Sequence, residues 1–410
     1  MTPFLQLILL LALIISAAKT AGYIAVRIGQ PSVLGELLVG LILGPSLINL
    51  LNWPIFEDQL AEEMIHQIAE IGVLLLMFVA GLELHLSELA RSSRVSAYAG
   101  SLGVVVPGLI GFGLGAAFGF STQKAIFLGL ALGATSVSIS AQTLMELNVL
   151  RTRVGLALLG SAVFDDVLVI LFFSTFLALT GGNQGLGAVG LLFVRMLIFL
   201  GLSVLIGLKV IPLLVRRVSH LPISQSVLAL ALVILFLYGL AAEVVGSMAA
   251  ITGTFLAGLM FSRSPEKERL ERGMGALAYG FFVPIFFINI GLAVNIRELE
   301  IGAVWLFVAL TVAAILGKLV GSGVGAKLAG YSWREASQLG AGMVSRGEVG
   351  LILATVGAEQ GLVSSSEFSA IIGMVLVTTL VTPPMLRALF AEPKSKLHLE
   401  IRSDLDEEAT

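Results

Sequence analysis

Apolar runs of about 20 residues or more, each closed by a short polar stretch, recur along the whole chain, and that is the length a helix needs to cross a bilayer. The pattern predicts thirteen spans: Phe4–Val26, Ser32–Leu50, Leu60–Leu84, Val95–Gly119, Ser121–Leu147, Val154–Thr180, Gly187–Leu208, Pro222–Val245, Ser247–Ser262, Gly273–Val294, Glu300–Ala326, Ala336–Gln360 and Ser365–Leu386. An all-α polytopic membrane protein is expected, one transmembrane unit over 1–390 with a short cytoplasmic tail at 391–410. The first run has no basic stretch before it and is longer than a signal-peptide core, so it reads as a retained span.

Polar positions between the runs test the count. Short cytoplasmic loops collect Lys and Arg. With the N-terminus outside, eighteen basic residues fall on the inner side, from Arg27 to Arg402, against Lys124 and Arg297 on the outer side. Thirteen spans with N outside and C inside follow. Lys19, Arg195, Lys318 and Arg346 remain within spans.

Composition narrows the partners. Hydrophobic residues make up 57% and charged residues 12%, which leaves little but membrane-embedded chain. Cysteine is absent, which removes disulfides and thiolate metal sites, and a net charge of -3 gives no reason to expect nucleic acid. The four histidines have no ligand spacing, and no cofactor is expected.

The chain also repeats weakly. An offset of about 210 residues lays MFVAGLEL (77–84) over FINIGLAV (287–294) and GLALGATSVSIS (129–140) over GAGMVSRGEVGL (340–351), so span 3 answers span 10 and span 5 answers span 12. Seven spans is an odd offset, and matched spans therefore cross in opposite directions, the inverted-repeat plan of many secondary transporters. Spans 1–6 and 8–13 form the halves, joined by span 7.

Both members of the 5/12 pair carry polar interruptions, ATSVSIS (134–140) and SRGEVG (345–350). Such a break within hydrocarbon needs to be buried or to line a wet cavity. Inverted-repeat transporters build ion sites from broken helices whose ends point partial charges at the midplane. Thr135 and Ser136 in the first break are candidate ligands; the alternative is that these hydroxyls bond back onto an intact helix. In the second, Arg346 and Glu348 are two apart and face different ways on a helix, so each is expected to find a partner on a neighbouring span.

SAVFDDVLVI (161–170) places Asp165 and Asp166 side by side in an otherwise apolar run. Each charge costs a few kcal/mol at that depth, so the pair is expected to be functional. Consecutive helical residues point about 100° apart; one carboxylate can hold a ligand while the other takes a separate partner. Lys318, deep in span 11, is the expected partner.

GATSVSIS followed by the FDD span, Lys318 in GKLVG, GMVSRGEVGLILA, PSVLGELLVGLILGP (31–45) and VPIFFINIGLAVN (283–295) resemble the monovalent cation:proton antiporter-2 family, the sodium/proton branch with an adjacent aspartate pair. The resemblance spans about Pro31 to Leu386. It implies a core domain (spans 3–6 and 10–13) with crossed broken helices at spans 5 and 12, and a dimerisation domain (spans 1–2 and 7–9). It implies that Asp166 is the principal carrier of Na+ or H+, that Asp165 shares the ion and exchanges a salt bridge with Lys318, and that the protein is a homodimer in the cell (inner) membrane. Sodium is the expected cation, with lithium and potassium as alternatives. Potassium-efflux relatives often carry Gln before the aspartate and a nucleotide-binding domain; this chain has neither.

Competition between a cation and a proton for one buried carboxylate couples the two fluxes without reference to any family. An intramembrane aspartyl protease needs its two carboxylates on facing helices, not adjacent on one. A sodium-coupled organic-anion symporter gains nothing from a buried lysine at its site, and a channel lacks its rings of charge. Asn289 is a supporting candidate, either at the broken-helix carbonyls or in an interhelical hydrogen bond. Glu36, Glu83 and Glu243 read as interfacial or packing residues, Glu83 alternatively at a cavity mouth, and Glu70 has no evident partner.

Overall fold

The computed structural model describes residues 2–56, 59–179, 186–293, 295, 297 and 303–391. The expected tail from 392 onward and the start of span 11 lie outside the described residues. Among the described residues seventeen α-helices are formed: α1 (Pro3–Arg27), α2 (Ser32–Leu43), α3 (Gln59–Glu83), α4 (Leu86–Arg91), α5 (Ser93–Ala117), α6 (Thr122–Gly133), α7 (Val137–Glu146), α8 (Arg153–Leu179), α9 (Leu186–Val218), α10 (Ser226–Val244), α11 (Ala250–Phe261), α12 (Lys267–Leu277), α13 (Val283–Leu292), α14 (Val304–Leu328), α15 (Trp333–Gly342), α16 (Glu348–Glu359) and α17 (Ser365–Phe390). A π-helical turn over Ala278–Phe282 carries α12 into α13.

Ten helical segments among the described residues are long and apolar enough to cross a membrane by length and composition. Two of them run through a pair of helices, Thr122–Glu146 through α6 and α7 and Lys267–Leu292 through α12 and α13. α2 and α11 are apolar but shorter.

The helix starts follow from local chemistry. Ser332 with Glu335 and Ser364 with Glu367 form reciprocal capping boxes at α15 and α17, and the Ser121 hydroxyl accepts from the Lys124 N–H at α6. Each satisfies donors that a helix N-terminus otherwise leaves unpaired.

Helices surrounded by lipid gain no hydrophobic drive from touching one another, so their close contacts use small residues. Two seams do this in the same way. Where α3 crosses α11, a Cβ on Gly81 would overlap the Phe255 carbonyl and one on Gly258 the Phe78 carbonyl. Where α2 crosses α13, a Cβ on Gly40 would overlap the Ile288 carbonyl and one on Gly291 the backbone of Gly40 and Leu41. α14 lies along α5 with Gly321 against the Leu102 carbonyl. α8 touches α5, α6, α7, α9 and α15, which sets its middle, the aspartate pair, among the helices that build the site. The outward faces of α9 and α10 expose Leu197, Leu205, Leu237 and Leu240, a surface suited to lipid.

Candidate functional site

Both polar interruptions are breaks in the helical path. The first lies between Gly133 and Val137, separating α6 from α7; the second, residues 343–347, separates α15 from α16. The two breaks pin each other. The Ser136 N–H donates to the Ser345 carbonyl (2.9 Å), and the Ser345 hydroxyl donates back to the Ser136 carbonyl (2.5 Å). Ser140 Oγ donates to the Gly342 carbonyl (2.5 Å). A break in hydrocarbon survives only with its backbone satisfied, and here each break supplies much of what the other needs.

Arg346 supplies more. Its side chain is fully buried and donates to the carbonyls of Val344 (2.5 Å), Leu132 (2.7 Å) and Ala314 (3.2 Å). Leu132 belongs to the last turn of α6 and Val344 follows α15, so one guanidinium serves the carbonyl ends of both half-helices, where partial negative charge gathers. The Thr379 hydroxyl in turn donates to the Arg346 carbonyl. The expected partner on a neighbouring span is therefore found, as backbone on α6 and α14. Glu348 opens α16, and its side chain lies outside the described residues.

Asp165 and Asp166 share α8 and diverge. Asp165 Oδ1 accepts from Lys318 Nζ at 2.5 Å, and both side chains are fully buried. The ammonium reaches this point beside α5, where a Cβ on Gly103 would stand 3.8 Å from Nζ and overlap Ser322 Oγ. Asp165 Oδ2 and Thr135 Oγ1 are both buried, and the Thr135 hydroxyl stands beside the Asp165 carboxylate. Asp166, about 100° further round the helix, faces a narrow cavity with Met77, Val137, Leu159, Ile251 and Phe255 in its wall. Thr252 Oγ1 on α11 donates to Asp166 Oδ2 at 3.2 Å.

Of the candidates read from sequence, Asp165, Asp166, Lys318, Thr135, Ser136 and Arg346 converge on this region. Asn289 takes the interhelical alternative: it contacts His66 Nδ1 on α3 at 3.2 Å, and His66 lies 3.5 Å from Glu70. That i,i+4 spacing was the available signal for the missing Glu70 partner. Thr252 was not anticipated. Lys19 donates to the Tyr279 carbonyl (2.7 Å) and Arg195 to those of Val244 (2.5 Å) and Val245 (3.0 Å), so both have protein partners within their spans. Glu36, expected as an interfacial or packing residue, is 5% exposed and lines an open cavity with Glu83.

A buried carboxylate on a narrow cavity, a neighbouring hydroxyl, an adjacent aspartate–lysine pair and two crossing helix breaks suit a small monovalent cation or a proton. Comparison with known proteins agrees. A family model described as "Sodium/hydrogen exchanger, transmembrane" matches residues 10–392. The chain is 41% identical over 382 residues to the Na(+)/H(+)-K(+) antiporter GerN of Bacillus cereus, covering 93% of this chain and 95% of that protein. It is 34% identical to a Na(+)/H(+) antiporter of Enterococcus hirae, covering 93% and 98% respectively. Among solved structures, the sodium proton antiporter MjNhaP1 of Methanocaldococcus jannaschii is similar in fold, with a TM-score of 0.65 at 18% identity over 94% of this chain and 97% of that one.

Proposed function

Because the chain belongs to the sodium/hydrogen exchanger family, we propose that it exchanges a monovalent cation, sodium first, for protons across the cell membrane, with Asp166 as the carrier. The observation that carries this reading is the buried Asp166 carboxylate on its cavity with Thr252 beside it. The carboxylate holds either a proton or a cation, and occupancy by one excludes the other. When only the loaded site is neutral enough to pass the apolar barrier, empty return is forbidden and the two fluxes are tied.

Asp165 and Lys318 form the second element. While paired, each neutralises the other in a dry setting. When the cation arrives, Asp165 turns from the lysine and adds oxygens to the ion, with the Thr135 hydroxyl beside it. Lys318 then releases its proton, because a buried ammonium without its partner does not keep one. Two protons move against one cation, and the exchange is electrogenic.

The finer architecture is part of the same proposal. The ten membrane-length segments, with α2, α11 and the α15/α16 pair added, make thirteen spans. Support for an inverted repeat comes from Gly81 and Gly291, which align at the 210-residue offset and sit in equivalent glycine contacts, with α11 and with α2. Those two seams separate the proposed core (spans 3–6 and 10–13) from the proposed dimerisation domain (spans 1–2 and 7–9), and alternating access is motion of one against the other. The basic residues put the C-terminus inside, and homodimerisation follows from the family resemblance.

Potassium is the second reading, favoured by the similarity to GerN, a Na(+)/H(+)-K(+) antiporter. Proteoliposomes with a pH-sensitive dye, challenged in turn with sodium, lithium and potassium, rank the cations. In the same vesicles Asp166→Asn keeps the side-chain shape and removes the titrating charge; it should abolish exchange with all three while melting as the parent does. Parental exchange in a folded Asp166→Asn protein would overturn the assignment.

A further inference from the structure

A second cavity follows the α3–α7 seam beyond the Asp166 site. The Asp166 cavity touches this seam at Met77 and Val137; the second touches it at Glu83, Gln142, Met145 and Glu146. At 1.5 Å of rise per residue the two lie about 8–9 Å apart along the helices. The second cavity is open to its surroundings, has a volume of about 340 Å³ and is also lined by Lys19, Ser32, Glu36 and Tyr279. With its carboxyls ionised, the lining carries the charges of Glu36, Glu83 and Glu146 against that of Lys19 alone, a surplus of negative charge.

Two polar groups there have no hydrogen-bond partner among the described residues. Glu146 is held in place: its Oε1 accepts from Ser32 Oγ (2.6 Å) and Gln142 Nε2 (2.8 Å), and its Oε2 accepts from Ser32 N (2.6 Å) at the start of α2, which leaves one acceptor position on Oε2. The bond from Gln142 fixes its amide, since a flipped amide would set its carbonyl against a carboxylate. Gln142 Oε1 is left without a partner although the residue is only 7% exposed. Glu36, one turn along α2 from Ser32 and 5% exposed, lines the same cavity and has no hydrogen bond or ion pair with a described residue. Its carboxylate is received by α1 at a residue without a side chain: a Cβ on Gly22 would stand 3.6 Å from Glu36 Oε1. Lys19, the one cation in the lining, makes its hydrogen bond to the Tyr279 carbonyl at 2.7 Å and acts on Glu36 through its charge.

We propose that Glu36, the Gln142 carbonyl and Glu146 form a second site for a hard monovalent cation, a station on the α3–α7 seam that loads and unloads the Asp166 site. A carboxylate oxygen with no donor of its own, a carbonyl oxygen pinned by its own amide and a second carboxylate fit an ion that takes oxygen ligands only. The ion's identity rests on the exchanger reading above; the existence of the site does not rest on Asp166.

Equilibrium binding of radioactive sodium to the purified full-length protein tests this with four proteins: the parent, Asp166→Asn, Glu36→Gln and the double variant. The parent should bind two sodium ions per chain, each single variant one and the double variant none. Residual binding in Asp166→Asn that Glu36→Gln does not remove, or no residual binding at all, overturns the second site. Binding unchanged by Asp166→Asn, by contrast, overturns the Asp166 assignment. Gln142→Met keeps both carboxylates and removes only the unpaired carbonyl, so it serves if Glu36→Gln does not fold. In the Asp166→Asn background it should weaken the remaining sodium binding at least tenfold, and unchanged affinity would count against the site.

Discussion

Two neighbouring carboxylates on α8 live in different surroundings. On the Asp165 side α5 and α14 close over an ion pair without exposure, and Arg346 ties off the carbonyl ends behind it. On the Asp166 side α3, α7 and α11 leave a cavity, and a neutral hydroxyl donates to the carboxylate. One residue of helical rotation thus separates a packed electrostatic joint from an ion seat. A buried carboxylate bonded to an ammonium gives up that pairing before it can take an ion, whereas one that receives a neutral hydroxyl on an open cavity can take an ion or a proton directly.

That contrast can be broken at three further points. The largest effect is expected from Arg346→Ala, which strands carbonyls on α6, α14 and the second break in a dry setting. Stability should fall by about 3–5 kcal/mol, the scale for removing one partner from a buried charged network, seen as lower thermal melting or yield. Apparent sodium affinity in the surviving folded fraction should stay near the parent's; unchanged melting with a large loss of affinity would move Arg346 to the ion side.

Lys318→Gln probes the joint next. It removes the second titrating group and leaves Asp166, so exchange should become one cation for one proton. With sodium as the cation and the potential clamped by potassium and valinomycin, the parent should respond at about 2.3 kcal/mol per charge per 100 mV, and the variant should not. A variant as responsive as the parent would make Lys318 a structural counter-ion only. Thr252→Val is the mildest probe, keeping shape while deleting one hydrogen bond to a charged group. At about 1.5 kcal/mol it should raise the half-saturating sodium concentration roughly tenfold with little change in melting, measured from the same dye traces. An unchanged half-saturation would leave the hydroxyl with no share in the ion site.

Much of the site was legible because burying charge in hydrocarbon is costly. Asp165, Asp166, Lys318 and Arg346 stand out in apolar runs, and the breaks announce themselves as Ser and Gly where Leu is expected. Thr252 was illegible for the opposite reason. A hydroxyl in a membrane helix usually bonds back to its own turn, as Thr254 does to Ile251 and Thr311 to Phe307, and nothing local marks the one that turns toward a carboxylate. The carbonyl partners of Arg346 were hidden as well, because backbone acceptors carry no signature in sequence. For Glu36 distance from the span end left the interfacial and packing readings open; its carboxylate packs against α1 at Gly22.

The crossings at Gly81 with Gly258 and at Gly40 with Gly291 have a mechanical consequence. Ordinary helix pairs mesh like gears, side-chain ridges seated in grooves, and sliding one past the other means lifting each tooth from its socket. At these crossings one backbone rests on another with no tooth between them. Lying between the moving bodies proposed above, they act as a pair of plain bearings, tight across the contact and smooth along it. Friction against the stroke then has to come from elsewhere, and one fitted tooth, a leucine at position 81, would seize the bearing.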